Sequence, residues 1–251
     1  MFDFLPAVPA AALQGGPLLQ VITQVTFNPQ SLLASPAGAV AVHERLSDRY
    51  PRYVAEQQAL ITAGPGGVTT QQVPQWRFTD LAGEQSVILS GESVALETSA
   101  YATWSDNLDR LQAVLEGICS VSAPRVRERL GLRYVNQVAP DDSADGPESA
   151  FAGRVRPSLL GLIAAPGWQG PLGVYLTQIT ASEGPVQLGL RYGAGPQVAG
   201  ENFVIDIDCS VTTPGALDTA EIMSQFTELN DVAWRCFCAC IEPAYREMLT
   251  P

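Results

Sequence analysis

Four arginines fall within nine residues, Arg125-Val126-Arg127-Glu128-Arg129-Leu130-Gly131-Leu132-Arg133. Side chains alternate across a strand, so Arg125, Arg127, Arg129 and Arg133 share one face and Gly131 leaves a gap between them. Guanidinium forks grip phosphate and carboxylate bidentately, which makes this stripe a candidate site for a phosphate, nucleotide or carboxylate. Gly131-Leu132-Arg133-Tyr134 recurs as Gly189-Leu190-Arg191-Tyr192. The candidate anion site is therefore Arg129, Arg133 and Arg191, with Tyr134 and Asn136 nearby. A competing expectation is structural. Asp206 and Asp208 share a face of their own strand, opposite Phe203, Ile205, Ile207 and Cys209, and suit pairing with the arginines. Two carboxylates at this spacing, with no clear third ligand, make a poor cation site.

Other routes to chemistry are narrow. All fourteen basic residues are arginine, which removes Schiff-base lysines, the phosphate-loop lysine and lysine general bases. His43 is the one histidine; no nucleophile elbow accompanies it, and it is expected on a helix surface. Cys236, Cys238 and Cys240 sit in a helical pattern, where only positions four apart align, so core packing is expected over zinc binding. Gly64-Pro65-Gly66-Gly67 and Gly193-Ala194-Gly195-Pro196 lack the spacing of nucleotide-binding loops and read as plain loops. Trp76, Trp104, Trp168 and Trp234, with Tyr101, are expected in the core, or at a partner surface or cavity. No catalytic set, metal site or cofactor is expected.

The elements that must position these residues follow from periodicity. Leu18–Phe27 alternates as a strand with Val21, Thr23, Val25 and Phe27 on one face. A helix over Ala37–Arg49 ends at Tyr50-Pro51. Tyr53–Thr62, Gln75–Thr79, Ser86–Ser90 and Val94–Thr98 form an antiparallel meander. Ser105 caps a helix with Leu108, Leu111, Leu115 and Ile118 as its stripe. Arg125–Val138 is a long strand. Further strands near Leu172–Thr180, Val186–Tyr192 and Phe203–Val211 precede one long helix from Asp218 to Leu249, with Ile222, Phe226, Leu229, Ala233, Phe237 and Ile241 buried. The acidic, apolar-poor segment 140–148 reads as a linker between lobes 1–139 and 149–251. The expected class is α+β: antiparallel sheets backed by helices, two loosely repeated lobes and a long C-terminal helix.

Several segments together carry a family resemblance. They are Pro17-Leu18 leading to Gln24-Val25-Thr26-Phe27, Tyr50-Pro51, Tyr101 with Trp104, Arg129-Leu130-Gly131-Leu132-Arg133-Tyr134-Val135-Asn136, and Ile205-Asp206-Ile207-Asp208. In these the chain resembles, nearly end to end, a sporadically distributed family of uncharacterised bacterial proteins of similar length. The resemblance implies no catalytic residues. Sporadic distribution implies accessory, defence or toxin–antitoxin-like systems.

Composition bounds the rest. The 251 residues are 46% hydrophobic and 16% charged, as in a packed globular protein. A net charge of −12 opposes a phosphate backbone, so nucleic acid is not an expected partner. No apolar run is long enough to span a bilayer. The amino-terminal stretch carries Asp3, lacks a basic start and is broken by Pro6 and Pro9, unlike a signal peptide. With five cysteines, an odd number, a reducing cytoplasm is the expected compartment. These features together lead to a non-enzymatic binding protein with a protein partner or a second copy of itself. Anion binding on the Arg125–Arg133 strand is the alternative.

Overall fold

The computed structural model describes residues 2–11, 13, 15–64, 67–141, 147–164, 173–195 and 200–250. Its strands form an antiparallel ten-stranded sheet in the order β2-β3-β4-β5-β1-β6-β9-β8-β7, with β10 paired to β6. These strands are β1 Leu18–Phe27, β2 Arg52–Gly64, β3 Gly67–Thr79, β4 Gln85–Ser90, β5 Ser93–Thr98, β6 Val126–Val138, β7 Tyr175–Glu183, β8 Val186–Gly195, β9 Gly200–Val211 and β10 Gly215–Ala216. The helices are α1 Pro36–Leu46, α2 Trp104–Val121, two single turns, α3 Pro147–Ala150 and α4 Pro157–Leu160, then α5 Thr219–Cys240 and α6 Pro243–Leu249. The α+β class and the antiparallel sheet expected from periodicity are present. The chain divides into two compact units, Ile22–Gly131 with Thr212–Ser224, and Met1–Val21 with Leu132–Val211 and Gln225–Pro251. Of the segment read as a linker, 142–146 lie outside the described residues.

In the unit built on Ile22–Gly131, α1 begins where the Ser35 hydroxyl accepts from Gly38 N–H at 3.2 Å and Pro36 presets the first turn. It ends at Leu46, three residues short of the expected end. The N-cap of α2 is Thr103, not Ser105: the Thr103 backbone is extended and its hydroxyl accepts from Asp106 N–H at 3.1 Å. Ser105 lies one residue inside the helix, which begins at Trp104. The α2 stripe is correspondingly shifted, with Asn107, Arg110, Leu111, Val114, Leu115 and Ile118 buried and Leu108 only half-buried. His43, expected on the helix surface, is half-buried. Its ring packs against Tyr53 and Phe78 with centroids 5.4 and 5.1 Å away, and its Nε2 lies 2.9 Å from the Tyr50 carbonyl.

The β2–β3 hairpin outruns its neighbour. β2 and β3 stay in register from Arg52↔Thr79 to Gly64↔Gly67, whereas β4 meets β3 only from Gln75↔Ser90 to Thr79↔Ser86. The change falls at Pro74, which has no N–H to offer a third strand. Among the described residues, the part of the ribbon beyond Gln75 is therefore two strands wide.

In the other unit, β8 pairs antiparallel with both β7 and β9, with Arg191 opposite Asp206 and Gly189 opposite Asp208. The cluster Gly193-Ala194-Gly195 is strand β8, not a loop; Pro196 lies outside the described residues. A Cβ on Gly193 would stand 1.9 Å from the Tyr175 carbonyl oxygen, so close approach of β7 requires glycine there. The single long helix expected over 218–249 is two helices. Ile241 forms a bridge with Val155, and Glu242 takes extended geometry (φ −69°, ψ 141°) before Pro243. Proline disfavours helical geometry in the residue before it, and that local rule overrides the continuing apolar stripe. The stripe itself, Ile222, Phe226, Leu229, Ala233, Phe237 and Ile241, is buried.

Candidate functional site

Arg133 rises from β6 toward β9 because both strands present alternate residues to the same face. Its Nε and Nη2 donate to the two carboxylate oxygens of Asp206, both at 2.7 Å. The Asp206 side chain is 9% exposed and that of Arg133 41%. These bonds, and the charges of Asp206 and Asp208, raise the Arg133 pKa against the opposing effect of burial. On β8, Arg191 is the register partner of Asp206 and is exposed. No ion pair joins Arg191 to another described residue.

Of the other arginines in the stripe, Arg125 precedes β6 and is exposed, whereas Arg127 and Arg129 are held elsewhere. Arg127 is buried, donating to the Thr213 carbonyl at 3.0 Å with Glu221 at 3.5 Å. Arg129 donates to the Gln24 side chain at 3.1 Å, and its guanidinium lies over Gly131, filling the gap read from the sequence. Tyr134 and Asn136 do not join Arg133. The Tyr134 hydroxyl donates to Asn230 of α5 at 2.7 Å, and the Asn136 amide donates to the Ile205 carbonyl at 3.1 Å. Tyr134 and Asn136 stand at even positions of β6, and alternation already separates them from Arg133.

The arrangement is thus a satisfied cross-strand ion pair. Removing Arg133 leaves a nearly buried carboxylate without its fork, and removing Asp206 strips the fork of its acceptor. Because Arg133 is partly solvated, Arg133→Ala and Asp206→Asn are each expected to cost about 2 kcal/mol, below the range for fully buried pairs. The double variant should recover about 1 kcal/mol of the summed loss by urea unfolding, and strict additivity would contradict the coupling.

Sequence patterning left other polar features unmarked. Asn107 donates to the Thr23 hydroxyl at 2.9 Å, both residues being buried. Arg110 donates to the Tyr50 hydroxyl at 3.2 Å with its side chain 1% exposed. Both lie at the helical spacing of the α2 stripe, the pattern that could have revealed them. Trp76 is core, Trp104 is half-buried with its indole N–H buried and unbonded among the described residues, Trp234 is half-buried on α5, and Trp168 lies outside the described residues. Cys236, Cys238 and Cys240 are buried with Cys209. No group of three or more metal-binding side chains occurs, and no helix is long and apolar enough to cross a membrane, among the described residues. No protein-family model matches the chain, and no curated protein matches it either.

Proposed function

We propose that the protein is a non-enzymatic interaction module that docks a protein partner along its β2–β3 ribbon, within an accessory or defence-type system. The observation that carries this is the ribbon itself. A two-stranded ribbon in water is marginally stable unless a third strand or another surface covers it. From Gln57 to Pro74 the sequence has no charged residue, in a chain of net charge −12. Gln57, Gln58, Ala59, Gln72 and Pro74 are exposed, as is Val54 at 51%. Long strand edges without charges are templates for strand addition. Arg77, bonded to Glu56 and Glu97 at 3.0 Å each, fixes the ribbon's base. The accessory or defence setting draws support from the sporadic family that the chain resembles. The Arg133–Asp206 pair favours protein docking over anion binding on the same strand, because that fork is already occupied.

Replacing residues 56–74 by a two-residue turn tests the reading. Affinity capture from native lysate is expected to recover one specific protein with the full chain and to lose it with the shortened chain, whose thermal midpoint should fall by only a few degrees. Equal recovery with both chains, or with neither, overturns the proposal.

A further inference from the structure

The amino-terminal segment 2–11 has no strand or helix, yet Phe2 is fully buried and Leu5 nearly so. Within it, Leu5 N–H donates to the Phe2 carbonyl at 2.9 Å. What holds it is a pair of adjacent side chains on α5. Arg235 donates through Nη2 to the carbonyls of Phe2 at 2.9 Å and Leu5 at 3.0 Å, and through Nε to that of Pro6 at 3.1 Å. Trp234 donates through its indole N–H to the Pro9 carbonyl at 3.0 Å. Asp231, 3.6 Å from Arg235, steadies the fork, and the Trp234 ring packs on Phe237 with centroids 6.2 Å apart. The Phe2 amide bonds to the Glu183 carboxylate, and Phe2 is the one non-glycine described residue with positive φ, 51°.

This is a peptide held by its carbonyls. Pro6 and Pro9 are three residues apart, one turn of a polyproline II helix, and theirs are the carbonyls taken by Arg235 Nε and Trp234. Aromatic and donor side chains that receive a proline-containing segment are a recurrent recognition mode, since such a segment has free carbonyls and little conformational entropy to lose. We propose that the Trp234–Arg235 face of α5 is a docking site for an extended proline-containing segment, filled in cis by residues 2–9 and able to take the same segment from a second copy. The segment makes no ladder contact that would have to break in the exchange. The nine-residue step from Pro9 to Leu18, with Gly15 at φ +62° and Gly16, reaches about 30 Å when extended. Exchange of an identical segment between copies remakes the same contacts in both chains. This site and the ribbon belong to different units, and either can fail its test without the other.

The test keeps the whole chain. A protease site is placed between residues 10 and 16, the protein is folded intact and then cut, and fluorescent peptide of residues 2–11 is added in excess. The peptide is expected to displace the cut segment saturably and to bind at least tenfold more weakly to the cut Arg235→Ala chain. A Pro6→Ala, Pro9→Ala peptide should also bind more weakly. In native mass spectra, mixed heavy- and light-labelled intact copies should form dimers that Arg235→Ala depletes. Failure of the peptide to displace the cut segment, or equal affinity for Arg235→Ala, overturns the docking site; absence of mixed dimers despite peptide exchange overturns the second copy as occupant.

Discussion

Raising the pH from 8 to 11 is expected to unfold the protein progressively, starting near pH 9. The cause is a set of buried thiols. Burial, then the charges of Cys236 and Asp208, push the Cys209 thiol far above its ordinary value. A hydrogen bond with Cys236, followed by burial, does the same for Cys240. Cys238 is raised by burial despite the opposing bond and charge of Arg246. In the unfolded chain these thiols lose protons from about pH 8.5 upward, while the folded chain keeps them. The folded state then binds more protons than the unfolded state, so stability present below that pH falls as pH rises. Each fully buried thiol contributes a slope of about 1.4 kcal/mol per pH unit, and Cys209 with Cys240 about 3 kcal/mol per unit together. Tyr53 and Tyr245, also raised chiefly by burial, extend the loss above pH 10. Urea midpoints under reductant, measured from pH 7 to 10.5, check this; Cys209→Ala should shed roughly half of the thiol slope, and a flat midpoint between pH 8 and 10 would contradict it.

Substituting Arg110 should have opposite outcomes depending on what replaces it. The guanidinium is enclosed, its nearest carboxylate is Asp106 at 3.6 Å, and its Nη2 has no hydrogen-bond partner among the described residues. A buried cation so weakly compensated is costly, and an apolar side chain of similar volume is often neutral or stabilising in its place. Arg110→Met is therefore expected to leave stability unchanged or raise it by about 1 kcal/mol, whereas Arg110→Ala opens a cavity and should cost about 3 kcal/mol. Denaturant unfolding separates the cases. Equal losses for Met and Ala would mean that the charge itself is required, through Tyr50 or Asp106.

The strands were legible because alternation and turn residues are local. Val21, Thr23, Val25 and Phe27 lie on the buried face that period two assigns them. Pairing was legible only in part. The suitability of Asp206 for an arginine followed from its strand face, but the choice of Arg133 depended on β6 lying beside β9, a neighbourhood set by tertiary contacts. Alternation along β6 sets Tyr134 and Asn136 apart from Arg133. The break at Glu242 was readable from Pro243, but the apolar stripe outweighed it. Arg110 was missed because a charged residue in a helical stripe reads as its solvated edge. The clamp of Arg235 and Trp234 on residues 2–9 joins chain segments more than two hundred residues apart, and no spacing rule reports such a contact.

The ribbon as a partner-docking edge is tested most directly by placing a photo-crosslinking residue at Gln57, exposed on β2, and in a control chain at Glu116, exposed on α2. On illumination in cells, a single discrete adduct to one protein is expected from position 57 and none from position 116. No adduct from Gln57, or the same adduct from both positions, would contradict docking on the ribbon.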